Sequence, residues 1–210
     1  MRLPQNWNDI TIEQFQECYF LLGKNPTIET WVMVLSTLSG KTYAQVEALS
    51  IKHLKELING LQFLLQPNLN EKVNKFVAFR GKPFKACLDA SQMGMNQIND
   101  LKEFMKPNGQ PVEDTIVENA HKLLACIYVP LTLKGWRYVP SKHKAHAEKF
   151  KQAKMGDIYG TLFFYSGIYK TLIQTTDTYL KEQTQILKEH LEEVNEWAQK
   201  QTLQKDGVGK

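Results

Sequence analysis

Two histidines with metal-ligand spacing are the first candidates for chemistry. His143 and His146 lie three residues apart in a stretch predicted to be helical, so both imidazoles could face one metal ion. Glu148 does not stand in a zincin arrangement with them, and the third ligand is missing. We therefore interpret the pair as part of an exposed polar helix, and we predict neither a metal site nor another cofactor.

The chain carries no recognisable enzyme motif. It has no G-x-S-x-G elbow around a serine, no family-specific cysteine signature, no phosphate-binding loop and no G-x-G-x-x-G. We therefore predict a non-enzymatic protein without catalytic residues. An active site assembled from distant residues stays open as a competing hypothesis.

A basic segment is the next candidate. Five lysines fall within thirteen residues, and Glu148 is the one acid among them. Such a run can contact phosphates in a salt-dependent way. The segment has a single aromatic residue and no arginine, the side chain that suits bidentate contacts, so a solvated helix face is the simpler interpretation. Nucleic-acid binding is the alternative function, with candidate phosphate contacts Lys142, Lys144, Lys149, Lys151 and Lys154.

The composition is that of a globular protein. Hydrophobic residues make up 42% of the 210 residues, enough for the core of one large or two small domains. The net charge of +4 is small for a dedicated nucleic-acid binder. Three cysteines without C-x-x-C spacing predict buried thiols in a reducing compartment. Because there is neither an apolar signal segment nor a run of about 20 apolar residues, we expect a soluble cytoplasmic protein without a membrane partner.

Capping signals predict a helical N-terminal part. Thr11 and Gln14 have the spacing of a capping box, in which the threonine hydroxyl accepts the amide three residues on. The same spacing recurs at Thr42 and Gln45. Apolar residues at helical intervals accompany these signals. We predict a bundle of about four short helices over residues 1–67.

Residues 73–90 are the clearest strand-like stretch. Gly81 supplies the positive φ that a tight turn needs. Phe84 and Ala86 then alternate with Lys85, as in a half-buried strand. Because a lone two-stranded hairpin is marginal in water, this chain or another one must cover it. The predicted partner contacts here are Phe76, Phe79 and Phe84.

The remainder is predicted to be largely helical. Apolar periodicity indicates helices over Met95–Met105 and Thr115–Tyr128. Residues 129–140 are β-rich in composition but bounded by prolines, so we predict irregular structure there. Residues 141–210 are predicted to hold a basic helix and long C-terminal helices, either as a third domain or continuous with residues 68–140. The fold class is therefore mainly α, of the α+β type.

The last predicted helix is the other candidate partner surface. Its apolar residues recur in near-heptad register over residues 179–203. Such a helix can dock on another subunit or fold back on its own chain, and the sequence favours neither. The predicted contacts are Leu187, Leu191 and Val194.

Two sets of motifs carry a family resemblance. The first is Trp7-x-x-Ile10-Thr11-x-x-Gln14-Phe15, followed by Leu38-Ser39-Gly40-Lys41 and Val46-Glu47. It resembles small structural or assembly proteins of tailed bacteriophages. The second is Phe79-Arg80-Gly81-Lys82-x-Phe84-Lys85, followed by a helix and residues 119–130. It is similar to proteins of this type from crAss-like and other Bacteroidetes-infecting phages.

This resemblance covers residues 7–130 and implies a role in tail or neck morphogenesis. It implies a tail-assembly chaperone, or a ring or adaptor subunit of the virion. The implied partners are other phage structural proteins or copies of the same chain, met in the host cytoplasm during assembly and, for a ring subunit, in the virion. The long helical C-terminus departs from short chaperones, so both roles stay open.

Overall fold

The computed structural model describes residues 3–23, 25–65, 72–79 and 81–167, together with residue 185. This part of the chain is mostly helical with a small four-stranded antiparallel sheet, so the predicted mainly α fold of the α+β type is confirmed. Residues 1–166 form one compact unit and residues 167–210 a second. The domain boundaries predicted near residues 67 and 140 both lie within the first unit.

The N-terminal part consists of short capped helices. They are α1 (Ile12–Leu22), α2 (Ile28–Ser39), α3 (Tyr43–Glu47) and α4 (Ile51–Gly60). The capping boxes predicted from Thr11 and Thr42 are both present, because each hydroxyl accepts the amide three residues on and the glutamine there returns to the cap amide. Helix α2 packs against α1, α3 and α4.

The sheet extends the predicted hairpin. Its strands, in spatial order, are β1 (Phe76–Phe79), β2 (Lys82–Ala86), β3 (Tyr128–Thr132) and β4 (Gly135–Trp136). The hairpin is confirmed as β1 and β2, and Gly81 in its turn has φ of 74°. Strand β2 also pairs with β3. The chain itself therefore supplies the neighbour that the hairpin needs.

The prediction of irregular structure over residues 129–140 was wrong, because most of β3 and all of β4 lie there. Pro130 does not interrupt the pairing with β2. Its carbonyl accepts from the amide of Arg137, on the β4 side. The amide and the carbonyl of a strand residue point to the same neighbouring strand. The N–H that Pro130 lacks would therefore have pointed toward β4 and not toward β2. No hydrogen bond to β2 is lost.

A second difference from the prediction lies in the segment before β3. The single helix predicted over Thr115–Tyr128 is two helices, α6 (Val112–Glu118) and α7 (Ala120–Ile127). Asn119 separates them, and its side-chain amide donates to the carbonyl of Phe104. Phe104 belongs to α5 (Met95–Met105), whose predicted bounds are confirmed.

Helices α8 (His143–Phe150) and α9 (described over residues 155–167) return the chain to its beginning. The amide of Ile12 donates to the carbonyl of Ala153, and the amide of Met155 donates to the carbonyl of Ile10. Each of these hydrogen bonds has a donor–acceptor distance of 2.9 Å. No helix in the described part of the chain has the length and apolar character to cross a membrane. The largest fully buried side chains come from elements along the whole of this unit: Ile10, Ile12, Leu35, Leu61, Phe84, Leu123, Leu124, Ile127, Tyr128, Phe150, Met155 and Ile158.

Candidate interaction surface

The inner face of the sheet belongs to the core. Phe84 on β2 and Tyr128 on β3 are both 0% exposed. The ring of Phe84 lies 5.4 Å from that of Phe150 on α8. The hydroxyl of Tyr128 donates its proton to the carbonyl of Asn74 at 2.7 Å. Because a hydroxyl has one proton to donate, the same oxygen accepts from the hydroxyl of Thr161, 2.8 Å away on α9. These contacts join the sheet to the C-terminal helices of the unit.

The outer face is largely apolar and, away from the buried Val129, open to solvent. Directly paired residues share a face, and the strand registers give this face the residues Phe76, Ala78, Pro83, Lys85, Val129, Leu131 and Trp136. Phe76 is 61% exposed and Leu131 is 54% exposed. The rings of Phe76 and Trp136 lie 5.8 Å apart, which makes one continuous aromatic surface across the sheet.

The structure separates the hairpin residues that the sequence predicts as partner contacts. Phe76 lies on the outer face. Phe79 is half-buried, with its ring 4.9 Å from Phe150, and Phe84 is inside the core. A partner cannot reach Phe84 in the folded chain, so the contact hypothesis for the hairpin depends on Phe76. The other predicted contacts, Leu187, Leu191 and Val194, lie outside the described residues.

Sequence reasoning missed the contribution of β3 and β4 to this surface. Leu131, Leu133 and Trp136 lie in the stretch predicted to be irregular. Leu133, in the turn between the two strands, is fully exposed. Two signals were available: Val129 and Leu131 alternate, and Gly135 supplies the positive φ of a turn, 86° in the structure.

A groove of about 390 Å³ adjoins the outer face, between the beginning of α5 and β4. Its lining includes Met95, Gln97, Val129, Trp136, Arg137 and Tyr138. Gln97 is buried, and its side-chain amide donates to the carbonyl of Cys126 over 2.7 Å. The hydroxyl of Tyr138 donates to the carboxylate of Asp100. Gln97 and Tyr138, two of the polar side chains of the lining, are therefore held in place by hydrogen bonds to neighbouring residues.

A cysteine and a histidine meet behind the groove. The Nε2 of His143 lies 3.0 Å from the carbonyl of Lys122 and 3.4 Å from the Sγ of Cys126. Because a carbonyl only accepts, Nε2 carries a proton and cannot serve as a base toward the thiol. Burial raises the pKa of Cys126 to about 12, so the thiol stays protonated at neutral pH. The contact is structural.

The two histidines with metal-ligand spacing have separate partners. The ring of His143 stacks on Phe104 at 5.1 Å, whereas His146 packs edge-on against Phe84 at 5.5 Å. Across the described residues, no group of three or more histidine, cysteine and acidic side chains is placed to hold a metal ion. Helix α8 thus uses both imidazoles for packing.

The predicted phosphate contacts divide into two groups. The Nζ of Lys151 pairs with Glu148 at 3.0 Å, and the Nζ of Lys154 donates to the carbonyl of Asp9 over 2.6 Å. These two lysines already have partners within the chain. The remaining three have no salt bridge among the described residues: Lys142 and Lys144, which are exposed, and Lys149, which is half-buried.

Comparison with known proteins gives no match: no protein-family model, no curated protein and no solved structure matches this chain. The resemblance to phage assembly proteins stays a hypothesis drawn from the sequence motifs.

Proposed function

We propose that this chain is a non-enzymatic protein-binding component of phage tail or neck assembly, either an assembly chaperone or a ring or adaptor subunit of the virion. Its partner is another phage structural protein or another copy of the chain. The outer face of the sheet carries the proposal, because Phe76, Leu131 and Trp136 form a clustered apolar surface open to solvent. The phage context is supported by the motif resemblance over residues 7–130.

The mechanism is burial of this surface against the partner. Each large apolar side chain that passes from full exposure to full burial contributes about 1.5–3 kcal/mol. Phe76 and Leu131 are more than half exposed, so each retains most of that contribution for the complex. Trp136 adds an aromatic side chain of the type that dominates binding at interfaces. The loss of translational and rotational freedom on association offsets part of the total.

Mass spectrometry of purified virions, beside lysate of infected cells, tests the biological role. A ring or adaptor subunit is expected in both samples. A chaperone is expected in the lysate and absent from finished particles. Failure to find the protein at any stage of infection by a phage that carries its gene would overturn the assembly role.

A charge placed on the outer face tests the surface itself. In the double variant Phe76→Asp with Leu131→Asp, association with the partner is expected to fall at least about tenfold, since two apolar anchors become charged. Ile51→Asp is the matched control, because Ile51 is an exposed apolar residue of α4 outside the sheet. Equal association of all three proteins in co-purification from infected cells would remove the outer face from the interface.

Nucleic-acid binding remains the second candidate, and one observation favours it. Burial is the main cause that lowers the pKa of His146, and the positive charges of Lys149, Lys142 and Lys82 lower it further. Lys82 on β2, Lys142 just before α8 and Lys149 on α8 therefore all lie near the imidazole of His146. Affinity for a DNA duplex should then fall steeply with salt and be lost in the triple variant with all three changed to Gln. Salt-independent or unaltered binding in a fluorescence-anisotropy titration would exclude this role for the cluster.

A further inference from the structure

We infer that the free edge of β1 pairs with the β1 edge of a second copy of this chain, across a two-fold axis at Val77, so that two four-stranded sheets join into one. The edge is a different surface from the outer face, and the pairing needs no phage protein. The inference names one of the partners that the proposed function leaves open, and it rests on that function only for its biological meaning.

The direction of the backbone groups of β1 carries the first step. The amide of Ala86 on β2 donates to the carbonyl of Lys75 over 2.9 Å, so these two residues form a hydrogen-bonded pair. Hydrogen-bonded and non-hydrogen-bonded pairs alternate along an antiparallel ladder, and the amide and carbonyl of Phe76 and of Ala78 therefore point away from β2. Pro83 stands opposite Ala78, where the pairing with β1 needs no amide donor.

The backbone groups that point outward have no partner in the described part of the chain. β1 is the last strand of the sheet and pairs with β2 alone among the described strands. No hydrogen bond between described residues uses the amide or the carbonyl of Phe76 or of Ala78. Both residues are exposed, so the edge is open to another strand.

The β1 edge also lacks the features that normally protect an edge. Edge strands are commonly short, charged or interrupted by proline. The opposite edge of the sheet fits this rule, since β4 has two residues and lies between Lys134 and Arg137. β1 has four residues, and all of them are apolar. A regular, uncharged edge of this kind is suited to accept a further strand.

A second copy supplies the strand that matches this edge. When two β1 strands run antiparallel with Val77 opposite Val77, each Phe76 stands opposite Ala78 of the other copy. This register uses the outward groups of both residues, and each such pair exchanges two hydrogen bonds. The exposed ring of Phe76 then lies beside a methyl group, and the two half-buried valines meet on the axis.

The same register keeps like charges apart. Lys75 stands opposite Phe79 of the other copy and not opposite a second lysine. Because paired residues share a face, the outer faces of the two sheets continue into each other through Phe76 and Ala78. A strand from a different protein would need the same order of large and small residues, which a second copy already has.

Sedimentation equilibrium of the full-length protein tests the association. We expect a reversible equilibrium between monomer and dimer with a dissociation constant in the micromolar range, because a contact of four residues a side lies at the small end of specific interfaces. A chain that stays monomeric up to about 0.5 mM would overturn the inference.

A cysteine on the axis tests the register. In a Cys87→Ser background, which removes the native cysteine that is not buried, Val77→Cys should form a disulfide-linked dimer on oxidation. Non-hydrogen-bonded pairs bring two Cα atoms to about 4.5 Å, within the range of a disulfide. Ala78→Cys is the matched control, because its Cα atoms lie diagonally about 7–8 Å apart in this register.

Cross-linking of Val77→Cys should be at least about tenfold faster than that of Ala78→Cys, since a disulfide does not span the diagonal without backbone movement. Equal rates, or a faster reaction of Ala78→Cys, would overturn the inference.

A proline in β1 tests the edge without disturbing the sheet. Ala78→Pro removes an N–H that points away from β2, so the ladder inside the chain stays intact. The dissociation constant of the dimer should rise at least about tenfold. Leu131→Asp is the control, because it changes an exposed residue of β3 on the outer face, and it should dimerise like the wild type. Unaltered dimerisation of Ala78→Pro, at an unchanged melting temperature, would overturn the inference.

These results are distinguishable from a failure of the assembly role. A dimer with the expected cross-link, in a protein that infected cells do not use for assembly, would retain the edge pairing and reject the phage context. A chain that is monomeric alone but enters assembly intermediates would retain the proposed function and reject the second copy as the occupant of the edge.

Discussion

The two faces of the small sheet have opposite environments although they share the same four strands. On the inner face, Phe84 and Tyr128 have no exposed surface. On the outer face, Phe76 retains more than half of its surface, and Trp136 is only half-buried. Successive residues of a strand point to opposite sides, so a shift of one position separates a core residue from a surface residue.

This difference shows how the chain can separate stability from recognition. Burial on the inner face stabilises the unit through α8 and α9. Exposed apolar area on the outer face contributes little to folding and stays available for a complex. Substitutions on the inner face should therefore lower the free energy of unfolding, whereas substitutions on the outer face should lower association with a partner.

Truncation of Phe84 should be the most damaging change. Phe84→Ala removes a fully buried ring that packs on Phe150, and large-to-small changes of this type cost about 3–5 kcal/mol. Urea unfolding measures the loss. A cost below about 1 kcal/mol would show that the inner face is not the stabilising one.

Removal of one hydroxyl on the same face should have a moderate effect. Tyr128→Phe leaves the carbonyl of Asn74 and the buried hydroxyl of Thr161 without their shared partner. The expected loss in free energy of unfolding is about 1–2 kcal/mol. Tyr43→Phe, on an exposed tyrosine of α3, serves as control and should change stability by less than about 0.5 kcal/mol. Equal values for the two variants would contradict the prediction.

Two histidines, His121 on α7 and His146 on α8, should also make stability depend on pH, and His146 packs on Phe84 of the inner face. Burial, reinforced by Lys149 and Lys142, lowers the pKa of His146 below its ordinary value. The unfolded chain then binds more protons than the folded one between the two pKa values, so the free energy of unfolding decreases as the pH falls through this range. His121, whose pKa burial lowers to about 4, acts in the same direction.

The measurement is urea unfolding at pH 7 and at pH 5. The free energy of unfolding of His146→Gln should decrease less between pH 7 and pH 5 than that of the wild type. The variant lacks one imidazole that is harder to protonate in the folded chain than in the unfolded chain. An identical decrease in both proteins would mean that His146 does not contribute to the acid sensitivity.

Truncation on the outer face should have the smallest effect on stability. Phe76→Ser removes a ring that is 61% exposed, and we expect a change in the free energy of unfolding below about 1 kcal/mol. The same variant should lower association with the partner. A loss of stability comparable to that of Phe84→Ala would show that the outer face is covered within the chain and would remove the contrast.

The sequence predicts those parts of the fold that depend on near neighbours. The capping box of Thr11 and Gln14 involves residues three positions apart, and it is present as predicted. Helix α5 also has its predicted bounds. The break at Asn119 was not predictable in this way, because the carbonyl that holds its side chain belongs to Phe104, fifteen residues earlier on another helix.

The candidate surface shows the same limit. The sequence predicts Phe76 as a contact residue from its place in an apolar hairpin, and the structure places it on the outer face. Its neighbour Trp136 lies on a strand whose pairing is set by β3, and Pro130 in β3 is tolerated only because of the direction in which its backbone points. The contact between Phe76 and Trp136 joins residues sixty positions apart, so no local pattern reveals it.

The pairing of residues 10–13 with residues 151–155 constrains the order of events on the ribosome. Ile12 donates its amide to Ala153, so α1 cannot complete its packing until the chain beyond α8 has been synthesised. At about 5–20 residues per second, that segment emerges roughly 7 to 30 s after α1. During this interval Ile10 and Ile12, which end fully buried, lack the partner segment around residues 153–155. Helix α1 is therefore synthesised well before its packing can be completed.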